Sequence, residues 1–455
     1  MIFKNRFLFW AVIPLFALAI LTKPIEATST QHRTQASSKN ILSKAQDLLS
    51  RDFIKAQEAL KWFEEQSNPN TAAHLITALR FSSIPKFEFY KSLRKITGQE
   101  TDTWFDWMLW QEKNPQIKPD ESIIAFKASI FDSIDPQFRR FFDEDTDFSI
   151  RPEEIVWGGV RVDGIPALDN PKFISVGEAE YIRGDDLVFG VEINDDKRAY
   201  PLRIMDWHEM FNDVIGGVPV SLAYCTLCGS GILFDGRVES RKEPFTFGSS
   251  GFLYRSNKLM YDRNTDSLWN QWTGRPVAGK LKDSGIQLKI LPVAITSWEE
   301  WKTKHPDTTV LSLDTGFRRN YGSGVAYAEY WASSELMFPA LGDTQRKHLQ
   351  KDYVYAMRLR GGAKAFPLKY FKGGKVINDQ VGFTNVVLIG DEATRTVRAY
   401  DREDLKITNL TDWVITEDAL ISKDGETALT RLPGHVSFWF AFAGYLGESG
   451  EVYAP

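Results

Sequence analysis

Apolar positions Leu42, Ala45, Leu49, Phe53, Ala56, Leu60 and Phe63 step by three and four along the chain, the spacing that gathers them on one side of an α-helix. Ser67-Asn-Pro-Asn70 breaks the pattern. Helical periodicity returns over 71–81, 86–97 and 120–132, with the aromatic segment Trp104-Phe-Asp-Trp-Met-Leu-Trp110 among them. Residues 41–150 are expected to form a helical domain, with the aromatic segment either packed between helices or open to a protein partner. Beyond Pro152 the texture changes to short alternating or β-branched runs punctuated by Gly, Pro, Asn and Asp, which predicts strands and turns. The expected fold is α+β, helices first and a β-rich region after them.

Within the β-rich region a segment occurs twice. Asp186-Leu-Val-Phe-Gly-Val, Ala199-Tyr-Pro-Leu202, Asn212-Asp213, Gly216 and Phe234-Asp235 return without a gap as Asp352-Tyr-Val-Tyr-Ala-Met, Ala365-Phe-Pro-Leu368, Asn378-Asp379, Gly382 and Tyr400-Asp401. Agreement in turn residues, strand pattern and spacing marks two copies of one supersecondary unit, expected over 151–300 and 301–455. The shared positions are those a fold requires, Pro and Gly for turns and Asn-Asp ahead of a hairpin. What differs is chemical: His208, Cys225 and Cys228 face Gly374, Asp391 and Thr394 in the second copy.

The full chain has 455 residues, two cysteines and a formal net charge of −5. Without clustered Lys and Arg, nothing in it predicts nucleic-acid binding. Lys4 and Arg6 precede an apolar run from Phe7 to Leu21, the architecture of a signal peptide over 1–27. A Ser, Thr and Gln rich leader follows over 28–40. The run is short for a spanning helix, so a mature protein without a membrane span is expected in the periplasm or outside the cell, or held by an N-terminal membrane anchor if the signal is uncleaved.

Export sharpens the reading of the two cysteines, because an oxidising compartment closes an unprotected thiol pair into a disulfide, whereas a bound metal keeps both sulfurs as thiolates. A meander with strands at 207–212, 218–224 and 230–235 sets His208 opposite about residue 222, within a side chain's reach of Cys225. Cys225, Cys228 and His208 are therefore candidate metal ligands, with copper or zinc the transition metals that two thiolates and an imidazole suit. His435, in Leu432-Pro-Gly-His435, is the candidate fourth ligand, weighed against a packed or surface histidine. A redox-active disulfide and a structural disulfide remain alternatives.

Around the repeat, Glu209, Tyr254, Asp262, Arg263 and Trp269 are candidate pocket residues. Glu209 is expected on the face opposite His208, because neighbours on a strand alternate. For Asp262 and Arg263 the alternative is a turn with a structural ion pair. Asp163, Asp169, Asp213 and Asp262 offer carboxylates but no separation that would define a glycosidase pair. No nucleophile elbow, phosphate-binding loop or dinucleotide fingerprint is present.

Glu154-Ile-Val-Trp-Gly-Gly-Val-Arg-Val-Asp-Gly-Ile-Pro166, Ala199-Tyr-Pro-Leu-Arg203, Trp207-His-Glu209, Tyr224-Cys-Thr-Leu-Cys-Gly229, Leu259-Met-Tyr-Asp-Arg263, His305-Pro-Asp-Thr308 and Leu432-Pro-Gly-His435 occur in an order that resembles the prokaryotic family known as domain of unknown function 3179, over about 150–445. The resemblance implies domain limits and a site location, and no reaction. Two functions follow as expectations. One is an exported metal-binding protein with redox or copper-handling chemistry. The other is a non-enzymatic binding or assembly module with a structural Cys225–Cys228 disulfide, acting on a small molecule or a protein.

Overall fold

The computed structural model describes residues 37–341, 349–446 and 450–455. The expected signal segment, and all but the end of the leader, lie outside the described residues. The first helical pattern is divided in two, Ser38–Asp47 and Phe53–Gln66. Asp52 ends the continuity because its carboxylate accepts the Ile54 and Lys55 amides and starts the second helix as its N-cap. Helices Ala72–Ala78, Lys86–Thr97 and Ser122–Ile134 follow close to the positions their periodicity predicts, and the aromatic segment forms a further helix, Trp104–Lys113. No helix among the described residues is long and apolar enough to cross a membrane.

The rest is β-rich, and the duplication holds strand for strand. Leu187–Ile193, Asp196–Pro201, Val218–Cys225 and Ser230–Asp235 reappear residue for residue as Tyr353–Leu359, Gly362–Pro367, Thr384–Asp391 and Thr396–Asp401. The copies also share elements that the ungapped comparison does not reach. Ala294–Ser297 pairs antiparallel with the first strand of its copy, as His435–Phe438 does in the other. A helix follows each, Trp298–Lys304 and Trp439–Leu446. The Trp298 amide donates to the Asp186 carbonyl at 2.8 Å, and the Trp439 amide to the Asp352 carbonyl at the same distance. Each copy closes with a short parallel strand on its second strand, Thr309 beside Arg198 and Glu451 beside Lys364. The first copy thus runs through Leu311, across the boundary expected at residue 300.

The two copies bury one another. Phe189, Tyr200, Phe211, Leu222 and Leu233 of the first share a core with Tyr355, Phe366, Leu368, Val386 and Leu388 of the second, because the apolar face of one meander has no other cover. Their insertions differ. Between Asp235 and Ala294 the first copy adds strands Phe247–Tyr254, Asn257–Asp262, Leu268–Asn270 and Arg275–Ala278, which join Ile155–Trp157 in one antiparallel sheet. The helices attach to this sheet through Phe252, whose ring lies 4.7 Å from Phe131 and 4.6 Å from Phe138. Residues Ser38–Pro455 accordingly form one unit.

Candidate functional site

The segment expected to be a strand from residue 207 is a helix, Leu202–His208. Pro201 precedes it, Leu202, Met205 and His208 fall on one buried side at helical spacing, and Glu209 ends it in the left-handed region at φ 56°. The strand begins only at Met210. This turn sends the two neighbouring side chains to different places. The His208 ring reaches the Pro166 carbonyl through Nδ1 at 2.9 Å and the Tyr321 hydroxyl through Nε2 at 2.6 Å. Burial lowers its pKa below the usual imidazole value, and the nearby Arg319 cation lowers it further.

Cys225 ends its strand, and Thr226–Cys228 makes a single 3-10 turn closed by Gly229 at φ 60°. Glycine takes that conformation without strain. The two sulfurs are joined in a disulfide, and the cysteines are 2% and 0% exposed. Cys228 Sγ lies 3.2 Å from the Ser256 carbonyl oxygen.

The expected three-ligand centre is not assembled. The thiols are spent on each other and both His208 ring nitrogens are engaged. No group of three His, Cys, Asp or Glu among the described residues could hold a metal ion. His435 packs edge-on against Trp272 at 4.7 Å. Its pKa is lowered to about 3, first by burial and then by the Arg358 charge, which marks a packed core histidine.

The side chain that meets the cysteine loop is Glu209. It accepts the Thr226 hydroxyl at 2.6 Å and pairs with Lys258 at 2.5 Å, the two charged side chains being 7% and 5% exposed. Beside them Asp206 is held well above the usual carboxylate range by burial, reinforced by the Glu209 charge.

The connection between the two copies folds back over the residues that only the first copy has. Tyr327 donates to Glu209 Oε1 at 3.5 Å, Tyr330 to the Leu227 carbonyl at 2.8 Å, and Trp331 Nε1 to the Thr226 carbonyl at 3.3 Å. Sequence reasoning passed over Thr226, Lys258, Tyr321, Tyr327, Tyr330 and Trp331. A lysine directly ahead of the apolar run Leu259-Met-Tyr261, and the closely spaced aromatic positions Tyr321, Tyr327, Tyr330 and Trp331 in the connection, were the available signals.

The remaining pocket candidates are scattered. Asp262, 0% exposed, accepts Trp269 Nε1 at 2.9 Å and the Thr265 amide at 2.7 Å, so these two meet, as parts of a turn. Arg263 pairs with Asp169 at 2.7 Å rather than with Asp262. Tyr254 is buried against Tyr445, which donates to its carbonyl at 2.8 Å. Burial raises the Tyr254 pKa, and the Glu154 charge adds to it. The other carboxylates also have local partners: Asp163 takes the Ser249 amide at 3.1 Å and Asp213 the Arg198 guanidinium at 2.7 Å.

In the aromatic segment Trp107 and Met108 are buried, at 0% and 4% exposed, while Trp104, Phe105, Leu109 and Trp110 are half-buried.

Residues 162–449 match the model of a family described as "Protein of unknown function (DUF3179)". No curated protein and no solved structure matches the chain.

Proposed function

The chain belongs to the protein family of unknown function DUF3179, and from that premise we propose that it is an exported, non-enzymatic binding or assembly module whose Cys225–Cys228 disulfide is structural. The observation that carries this reading is the burial of both joined sulfurs beneath the connection between the copies. Thiol–disulfide exchange needs a thiolate to approach a sulfur, and here both cysteines are buried, with Tyr330 and Trp331 bonded to the backbone carbonyls of the loop between them. Export is supported by the disulfide itself, a bond that persists in oxidising compartments.

In this reading the disulfide locks the turn that presents Thr226 to Glu209, and the Glu209–Lys258 pair fixes the loop from beneath. The test combines thiol trapping with metal analysis on protein exported and purified without chelator. The expected result is no free thiol, no stoichiometric metal, and resistance to reduced thioredoxin until the chain is unfolded. Cys225→Ala with Cys228→Ala should stay folded and lose about 2 kcal/mol of stability, the loop-closure entropy of so small a ring. Rapid reduction of the native protein, or copper or zinc near one per chain that disappears in the double variant, would overturn the proposal.

A further inference from the structure

The helix Leu202–His208 faces an open cleft of about 650 Å³ lined by Arg203, Leu313, Phe317, Arg318, Arg319, Asn320, Tyr321 and Gly322. No carboxylate among the described residues lines it. Arg203 is already committed, donating to the Tyr321 carbonyl at 2.6 Å and pairing with Asp186 at 3.0 Å. Arg318 and Arg319 are exposed and form no ion pair among the described residues. In a chain whose formal charge is −5, two adjacent unneutralised guanidinium groups in a concavity stand against the overall sign.

The cleft is also held in shape from behind. Trp207 Nε1 donates to the Asn320 carbonyl at 2.9 Å, Arg203 grips the next carbonyl, and the Tyr321 hydroxyl bridges His208 Nε2 and Thr315 Oγ1 at 2.6 and 2.7 Å. Four side-chain contacts thus fix the backbone that carries both arginines, so a ligand would not have to order it. Phe317 and Leu313 leave 41% and 42% of their surface exposed at the same place, and Arg319 lies 5.9 Å from the Trp207 ring centre.

We propose that this cleft binds a small organic anion with an apolar or aromatic body, its charged group taken by Arg318 and Arg319 and its body resting on Phe317 and Leu313. Guanidinium groups present fixed pairs of donors that suit carboxylate, sulfonate or phosphate oxygens, and the exposed Phe317 and Leu313 supply apolar surface in the same lining. The cleft opens beside His208, one of the residues that the first copy has and the second lacks, which gives the difference between the copies a use. The inference rests on the binding-module reading and adds a ligand class to it.

The test uses the aromatic sulfonate 1-anilinonaphthalene-8-sulfonate as probe, with N-phenyl-1-naphthylamine as its neutral counterpart, on the folded wild-type chain. The expected result is saturable binding of the sulfonate that weakens as sodium chloride rises, and clearly weaker binding of the neutral dye. Arg318→Gln with Arg319→Gln should weaken sulfonate binding about tenfold or more, the worth of one charge-assisted hydrogen bond. Arg318→Lys with Arg319→Lys should keep most of it. The salt titration on wild type stands even if a variant melts early. No saturable binding, equal affinity for the neutral dye, or binding unaffected by salt would overturn the anion site. None of these outcomes bears on the thiol assay, which tests the disulfide by itself.

Discussion

Replacing Lys258 by Met separates the contribution of the buried ion pair from that of the disulfide it underlies. Lys258 and Glu209 are 5% and 7% exposed at a separation of 2.5 Å, so little water reaches either charge. Removing one partner leaves the other buried and uncompensated, a change that costs about 3–5 kcal/mol. Glu209 keeps the Thr226 hydroxyl at 2.6 Å and the Tyr327 hydroxyl at 3.5 Å, neutral donors where a cation stood. Glu209→Gln strands Lys258 in the same way and should cost a similar amount. The double variant removes both charges and nearly preserves volume, so its cost should fall to within about 1.5 kcal/mol of wild type, far short of the sum of the two. The assay is urea unfolding followed by tryptophan fluorescence, with the disulfide checked by mass in every variant. Single costs below about 1 kcal/mol, or a double variant equal to the sum of the singles, would refute the view that these charges are buried and coupled.

Two further outcomes test other parts of the structure. His74 and His435 have pKa values lowered to about 4 and about 3, in each case chiefly by burial. Unfolding lets them bind protons at ordinary affinity, so stability present above pH about 6.5 should fall as pH drops toward these values. Asp206 and Glu112, whose carboxyls burial raises, act in the opposite sense, so the check is a comparison of variants: His435→Gln should lose less stability than wild type between pH 7 and pH 5, and an unchanged difference across that range would contradict this. Phe252→Ala empties the centre of the cluster formed with Phe131, Phe138, Phe141 and Phe142. It should cost about 3–5 kcal/mol and open residues 143–152 to limited proteolysis, whereas unchanged proteolysis would show that the helices are held by something else.

Much of the organisation was legible before any coordinates. Helical spacing located Lys86–Thr97 to the residue, because a surface helix must present an apolar stripe whatever it packs against. The duplication was legible because both copies keep the Pro and Gly positions that their turns require and an Asn-Asp pair within the strand that enters the hairpin, and comparison of the copies then isolated His208, Cys225 and Cys228. Where an insertion of different length intervened, the repeat was lost to sequence, and the shared edge strand and helix emerged only from their pairing.

Tertiary structure decided what those isolated residues do. Strand alternation could not foresee that Glu209 would take a left-handed turn, which sends His208 toward Tyr321 and Glu209 toward the cysteine loop. Nor could spacing foresee that the connection between the copies would fold back over that loop, since Tyr330 and Trp331 stand more than a hundred residues from the backbone they bind. Local pattern determined which residues are chemically unusual, because pattern records what a helix or strand needs. Which of them meet was set by the shared core of two copies and the path of the chain between them, which depends on contacts far apart in sequence.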